Sequence, residues 1–128
     1  MDLKIQSQQK SAGHVEIALE GRLDTKTYGQ LEELLKGVLA GKPRLVNLNM
    51  EKLDYISSMG LRVLVQTMKT LKASGGQLAL TNLKPPIQKV IDIARVLPDQ
   101  SIFRNVAEAD AYFDAMQKKA SNPEAGAD

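Results

Sequence analysis

The strongest constraint on this chain is an exchange of hydrophobic period, from two residues to three or four and back, with glycine or proline at most changeovers. Leu3-Lys4-Ile5 and Val15-Glu16-Ile17-Ala18-Leu19 alternate around the turn-prone Lys10-Ser11-Ala12-Gly13, which predicts an opening hairpin. Gly21 closes the second strand. Asp24 or Thr25 is then placed to cap a helix carrying Tyr28, Leu31, Leu34, Leu35 and Val38 on one stripe. Gly41-Lys42-Pro43 stops it, because glycine suits the left-handed cap and proline cannot continue a helix. Residues 44–49 read as a buried strand, 58–74 as a second helix ended by Gly75-Gly76, and 77–81 as a short strand. Pro85-Pro86 opens a third helix that turns Ile87, Val90, Ile91 and Ala94 inward. Pro98 ends that region, and Ile102-Phe103 reads as a short edge strand. Asn105 and Glu108 have capping-box spacing before a last helix with Val106, Ala109, Phe113 and Met116.

The order ββαβαβαβα predicts an α/β fold, a mixed sheet of four to five strands with about four helices packed on it. One domain is expected over residues 1–118, followed by a flexible tail over 119–128, whose polar Ser-Asn-Pro-Glu-Ala-Gly-Ala-Asp end has nothing to bury. A chain of 128 residues can bury a core without a disulfide or metal staple.

Much chemistry is missing. With no cysteine there is no thiol nucleophile and no thiolate metal site. His14 is the only histidine and alternates with Val15, which predicts a solvated surface side chain and leaves no Ser/His/Asp set. Gly37-Val38-Leu39-Ala40-Gly41-Lys42-Pro43 superficially resembles a phosphate loop, but its spacing is short, proline replaces the Ser or Thr that metal binding needs, and it ends a helix. Asp24 and Asp54 are more simply loop and cap residues than an acid–base pair. No catalytic residue, metal site or cofactor is therefore expected, and the chain is not read as an enzyme. Seventeen basic against fifteen acidic residues and 4% aromatics give no footprint for nucleic acid. No apolar run approaches the ~20 residues that span a bilayer, so membrane insertion is not expected. Met1-Asp2-Leu3-Lys4 lacks a basic segment with an apolar run behind it, so a cytoplasmic location is expected.

The segment Tyr55-Ile56-Ser57-Ser58-Met59-Gly60-Leu61 joins the apolar strand to the second helix. One serine there has a plain role, accepting a hydrogen bond from a free N–H of the first turn. On a helical wheel Leu61, Leu64, Val65, Met68 and Leu71 form the core stripe, and Met59, Arg62, Val63, Gln66 and Thr70 fall opposite. Met59 and Val63 are then apolar side chains on a wet face, a patch suited to a partner. A phosphate on Ser58, or alternatively Ser57, sits where the helix tolerates negative charge, while a partner docked on the patch meets a desolvated charge.

Two stretches resemble the STAS domain family, specifically the bacterial anti-sigma-factor antagonists. One is Leu19-Glu20-Gly21-Arg22-Leu23-Asp24 running into a helix, similar to the family's Gly-x-Leu-Asp junction; the other is Asn47-Leu48-Asn49 through Leu53-Asp54-Tyr55-Ile56-Ser57-Ser58-Met59-Gly60-Leu61, similar to its Asp-Ser-Ser/Thr-Gly-Leu segment. The order of elements agrees over residues 3–118. The resemblance implies a partner switch. The antagonist binds an anti-sigma factor that is also a serine kinase, is phosphorylated by it on Ser58 and released, and is restored by a PP2C-type phosphatase. It implies a contact surface around Asp24 and the helix start, with Ser57, Ser58, Met59, Arg62, Val63 and Gln66. The sequence departs from the family pattern at Ser57, where the family has an acidic residue, and at Met59, where it has Ser or Thr. Arg62 adds a cation one turn from Ser58. The missing acid motivates an alternative, a phosphorylation-independent STAS scaffold or accessory subunit of a signalling or transport assembly, with Ser58 as no more than a cap.

Overall fold

The computed structural model describes residues 3–94, 102–103, 107 and 111. The elements are β1 (Leu3–Ser11), β2 (His14–Leu23), α1 (Tyr28–Ala40), β3 (Leu45–Ile56), α2 (Ser58–Ala73), β4 (Gln77–Thr81), α3 (Pro85–Ala94) and β5 (Ile102–Phe103). The expected order holds through β5. The tail over 119–128, Pro98 and, apart from Ala107 and Ala111, the last expected helix lie outside the described residues.

The five strands form one mixed sheet in the order β1-β2-β3-β4-β5. β1 and β2 pair antiparallel, and each later pair is parallel. Gly13 makes the hairpin turn with φ +79°, a left-handed conformation that costs glycine nothing. Its carbonyl accepts the N–H groups of Arg44 and Leu45 at 2.8 and 2.9 Å, so the turn also sets where β3 begins. Pairing across the sheet places Ile17 beside Leu48 and Leu48 beside Leu80. All three are fully buried and share one core with Leu31 and Leu35 of α1, Leu64 and Leu71 of α2, and Ile87 and Ile91 of α3. The opposite row is polar: Asn47 and Thr81 are also fully buried, and the Thr81 hydroxyl donates to Asn47 Oδ1 at 3.3 Å.

Four expectations change. The strand expected to end at 49 continues to Ile56, because β2 pairs with it along its whole length while β4 pairs only with residues 45–49. His14, expected on the surface, is buried because β2 lies inside the sheet, where it is flanked by Ser11 of β1 and Leu45 of β3. Val90, expected to face inward, is exposed on α3, while Ile87 and Ile91 are buried as expected; the side chain of Ala94 lies outside the described residues. The core face of α2 consists of Gly60, Val63, Leu64, Thr67 and Leu71, turned by roughly 80° from the stripe drawn on apolarity alone at ~100° per residue.

Two residues that apolarity ignores cause that rotation. A Cβ on Gly60 would stand 2.8 Å from Leu23 Cγ and 3.0 Å from Ile56 Cγ1, so the bare glycine lets the helix start close against the strand ends. Thr67 faces inward because its hydroxyl donates to the Val63 carbonyl at 2.7 Å, leaving its methyl group for the core. Leu61 and Met68, expected at the centre of the stripe, pack against the core from its edge. At the far end Gly75, with φ +83°, donates to the Lys72 carbonyl and Gly76 to the Leu71 carbonyl, a Schellman stop.

The two kinds of helical glycine predict opposite effects. Gly60→Ala forces the buried Leu23 and Ile56 to move and should cost about 1–3 kcal/mol. Gly37→Ala on α1, where nothing lies within 4 Å of the added carbon, should stabilise by up to about 1 kcal/mol. Urea denaturation of both variants checks the contrast.

Candidate functional site

The site is built where β2 and β3 end together. Their parallel register sets Arg22 beside Tyr55 and Leu23 beside Ile56. The Ser57 N–H then donates to the Leu23 carbonyl at 2.8 Å, and beyond that bond the chains diverge. One enters the loop that carries Asp24, the other passes through Ser57 straight into α2. The structure thus brings together the two stretches that are separated by more than thirty residues in sequence.

The two serines divide their roles. Ser57 is the N-cap of α2: its backbone is extended, with φ −94° and ψ 173°, and its hydroxyl accepts the Gly60 N–H at 3.3 Å. Ser58 occupies the first helical position and is exposed. The cap role that the scaffold reading gave Ser58 therefore belongs to Ser57.

Asp24 is not the N-cap of α1, and neither is Thr25; Thr27 holds that place, without a side-chain cap. Asp24 instead organises the preceding loop. Its Oδ1 accepts the N–H of Lys26 at 2.9 Å, the N–H of Thr27 at 3.1 Å and the Thr27 hydroxyl at 3.2 Å. The Thr27 hydroxyl also donates to the Arg22 carbonyl at 2.7 Å and accepts the Asp24 N–H at 2.9 Å, while the Asp24 carbonyl accepts the Tyr28 N–H. The Lys26 N–H holds the Asp24 carboxyl below its ordinary value; partial burial opposes this, and Thr27 and Arg22 reinforce it.

Arg22 and Tyr55 were not expected here. The guanidinium lies 4.1 Å from the centre of the Tyr55 ring, and its Nε is 3.6 Å from Asp24 Oδ2. No spacing rule finds a contact between positions 22 and 55; only strand register does. The Asp24-x-x-Thr27 spacing was the one legible sign of the loop's order.

The expected partner surface survives in part. Arg62 and Gln66 are exposed on α2 and Met59 is half-buried. Val63 is not a surface residue: at 4% exposure it belongs to the core, beside a groove of about 130 Å³ between α1 and α2 that Leu35, Leu39 and Thr67 also line. The apolar Met59/Val63 patch is thereby corrected, for the same reason that α2 is rotated. Among the described residues no group of His, Cys, Asp or Glu is placed to hold a metal, and no helix is long and apolar enough to cross a membrane.

Comparison with known proteins places these features in a family context. Residues 6–109 match the STAS domain family. BtrV of Bordetella bronchiseptica, named as a candidate anti-sigma factor antagonist, is 39% identical over 89 residues, which is 69% of this chain and 76% of that protein. The anti-sigma-B factor antagonist of Staphylococcus aureus is 30% identical over 78 residues, 61% of this chain and 72% of its own. In fold, the chain is similar to the anti-sigma factor antagonist SpoIIAA in its unphosphorylated form, with a TM-score of 0.74, 22% identity and coverage of 89% of this chain and 97% of that one.

Two measurements test this geometry. Ser57→Ala should cost about 1 kcal/mol of stability through the lost cap, while Ser58→Ala should stay within about 0.5 kcal/mol of the parent. A carboxyl held lower in the folded state adds stability above its ordinary value of 3.8 and loses it as pH falls through the lowered value. The melting temperature should therefore exceed that of Asp24→Asn at neutral pH, and the two should converge in acid.

Proposed function

The chain belongs to the STAS domain family, and we propose that it acts as an anti-sigma-factor antagonist by partner switching. Unphosphorylated, it binds an anti-sigma factor that is also a serine kinase and so frees the sigma factor or other client. The kinase transfers the γ-phosphoryl group of ATP to Ser58 Oγ, the hydroxyl proton leaves, and ADP departs. The phosphorylated protein is released. A PP2C-type phosphatase hydrolyses the ester with water and restores the hydroxyl. The protein itself is an adaptor, not an enzyme, and the docking surface comprises the Asp24 loop with Ser57, Ser58, Met59, Arg62 and Gln66. A cytoplasmic location fits that role.

One observation carries the reading: of two adjacent serines, Ser57 is engaged by the helix and Ser58 is exposed at its first residue. A phosphate on Ser58 costs the fold little, because free N–H groups and the helix dipole favour negative charge at that end. The bound state pays instead. A swing from almost fully bound to almost fully free needs a ~10⁴-fold change in affinity, some 5.5 kcal/mol. A charge of about −2 confined beneath a docked protein is of that order, since a buried unpaired charge is strongly unfavourable. The relatives named as anti-sigma factor antagonists support the antagonist role.

Incubation with the cognate kinase and ATP, followed by peptide mass spectrometry, should find the phosphate on Ser58 and not Ser57. Ser58→Asp should weaken the complex at least tenfold (about 1.4 kcal/mol) and Ser58→Ala should retain it. Equal affinities for the two variants would refute the switch and leave the scaffold reading.

A further inference from the structure

With Val63 buried, the exposed side chains close to Ser58 in the chain include Tyr55 and Arg62, and they indicate what holds a partner there. Tyr55 lies three residues before Ser58, so their Cα atoms are no more than about 11 Å apart. Arg22 is stacked on that ring at 4.1 Å. Arg62 follows Ser58 by four residues, about 6 Å along α2 and on the same exposed side. Lys26 projects from the neighbouring loop and is exposed. Neither Lys26 nor Arg62 has an ion-pair partner among the described residues. Two carboxylates lie nearby and both are engaged: Asp24 turns Oδ1 onto its own loop's N–H groups and Oδ2 toward Arg22, and Asp54, next to Tyr55, pairs with Lys84.

We infer that Arg22, Lys26, Tyr55 and Arg62 form a cationic docking patch around Ser58 that takes an acidic face of the partner protein. This rests on the Ser58 surface being the docking surface, and it names the chemistry of what docks. With Lys84 answering Asp54, the three cations Arg22, Lys26 and Arg62 stand against Asp24 alone and give a local excess of positive charge, although the chain as a whole carries only +2. Arg22 is already ordered by the Tyr55 ring and Asp24, so little side-chain freedom is lost when it is engaged, and exposed arginine and tyrosine are the residue types that anchor interfaces. Phosphorylation of Ser58 then acts chiefly by charge. About −2 added among these side chains cancels the local excess and repels the acidic partner, which explains how a switch works without an apolar patch.

The test has two arms. In the first, the isotope-labelled full chain is titrated with a synthetic hexaglutamate peptide while backbone amide shifts are followed. Shifts should concentrate at residues 22–26 and 55–62, weaken in Arg22→Gln and Arg62→Gln, and vanish at high ionic strength. Shifts centred on other cations such as Lys69 and Lys72, or equal shifts with hexalysine, would overturn the proposal, and so would duplex DNA of mixed sequence binding this patch as tightly as the peptide. In the second arm, the affinity of the cognate kinase for unphosphorylated protein should fall about tenfold in each variant, with the fold unchanged by circular dichroism. If the kinase phosphorylates Ser58 but binds both variants like the parent, the acidic partner is wrong and the switch stands. If the peptide maps to the patch but Ser58 is never modified, the patch stands and the switch fails.

Discussion

The parallel pairing of β2 with β3 is the constraint on which the rest depends. β4 supports only the first part of β3, so the last seven residues of that strand are held to the sheet by β2 alone. That pairing carries both chains to a common end, where the Ser57 N–H meets the Leu23 carbonyl. A slip of one residue would reverse every side chain across the two faces and separate Arg22 from Tyr55. The core enforces the register, because Ile17, Leu19 and Leu23 on one strand and Leu48, Leu53 and Ile56 on the other must enter it together.

Backbone accounting explains the site's local form. Helix starts leave N–H groups without partners, and this junction answers each in a different way. At α2 a serine hydroxyl supplies the acceptor. At α1 the cap position itself contributes no side chain, and Asp24 collects the loop's N–H groups one turn earlier. Both junctions are thereby ordered without using the Ser58 hydroxyl, and in the proposed switch it is that exposed hydroxyl a kinase would modify.

Burial of Val63 changes the physics of the surface more than its location. An apolar patch would bind by excluding water and would be nearly indifferent to salt, whereas arginine and lysine bind through a field that mobile ions screen. The proposed charged surface would suit the proposed adaptor, because complementary charge speeds encounter and selects a partner without committing a large apolar area that would be exposed when the partner leaves.

The alternation of periods determined a great deal by itself: the hairpin, the order of strands and helices, the glycine and proline stops and the serine pair at a strand-to-helix turn are all local consequences of residue type. The motif residues resembling the STAS family are likewise contiguous and legible. The azimuth of α2 was not. Counting apolar residues places Leu61 and Met68 inward, but a glycine that permits close approach and a threonine that satisfies its own hydroxyl outweigh them, and the first of these effects does not exist until the ends of β2 and β3 are in place beneath the helix. The same holds for His14, buried by a neighbouring strand far along the chain, and for Arg22 over Tyr55. Local chemistry decides which elements form, because hydrophobic period, turn residues and helix caps act within a few residues. Which side of each element is wet depends on contacts between distant segments, and those are properties of the assembled sheet.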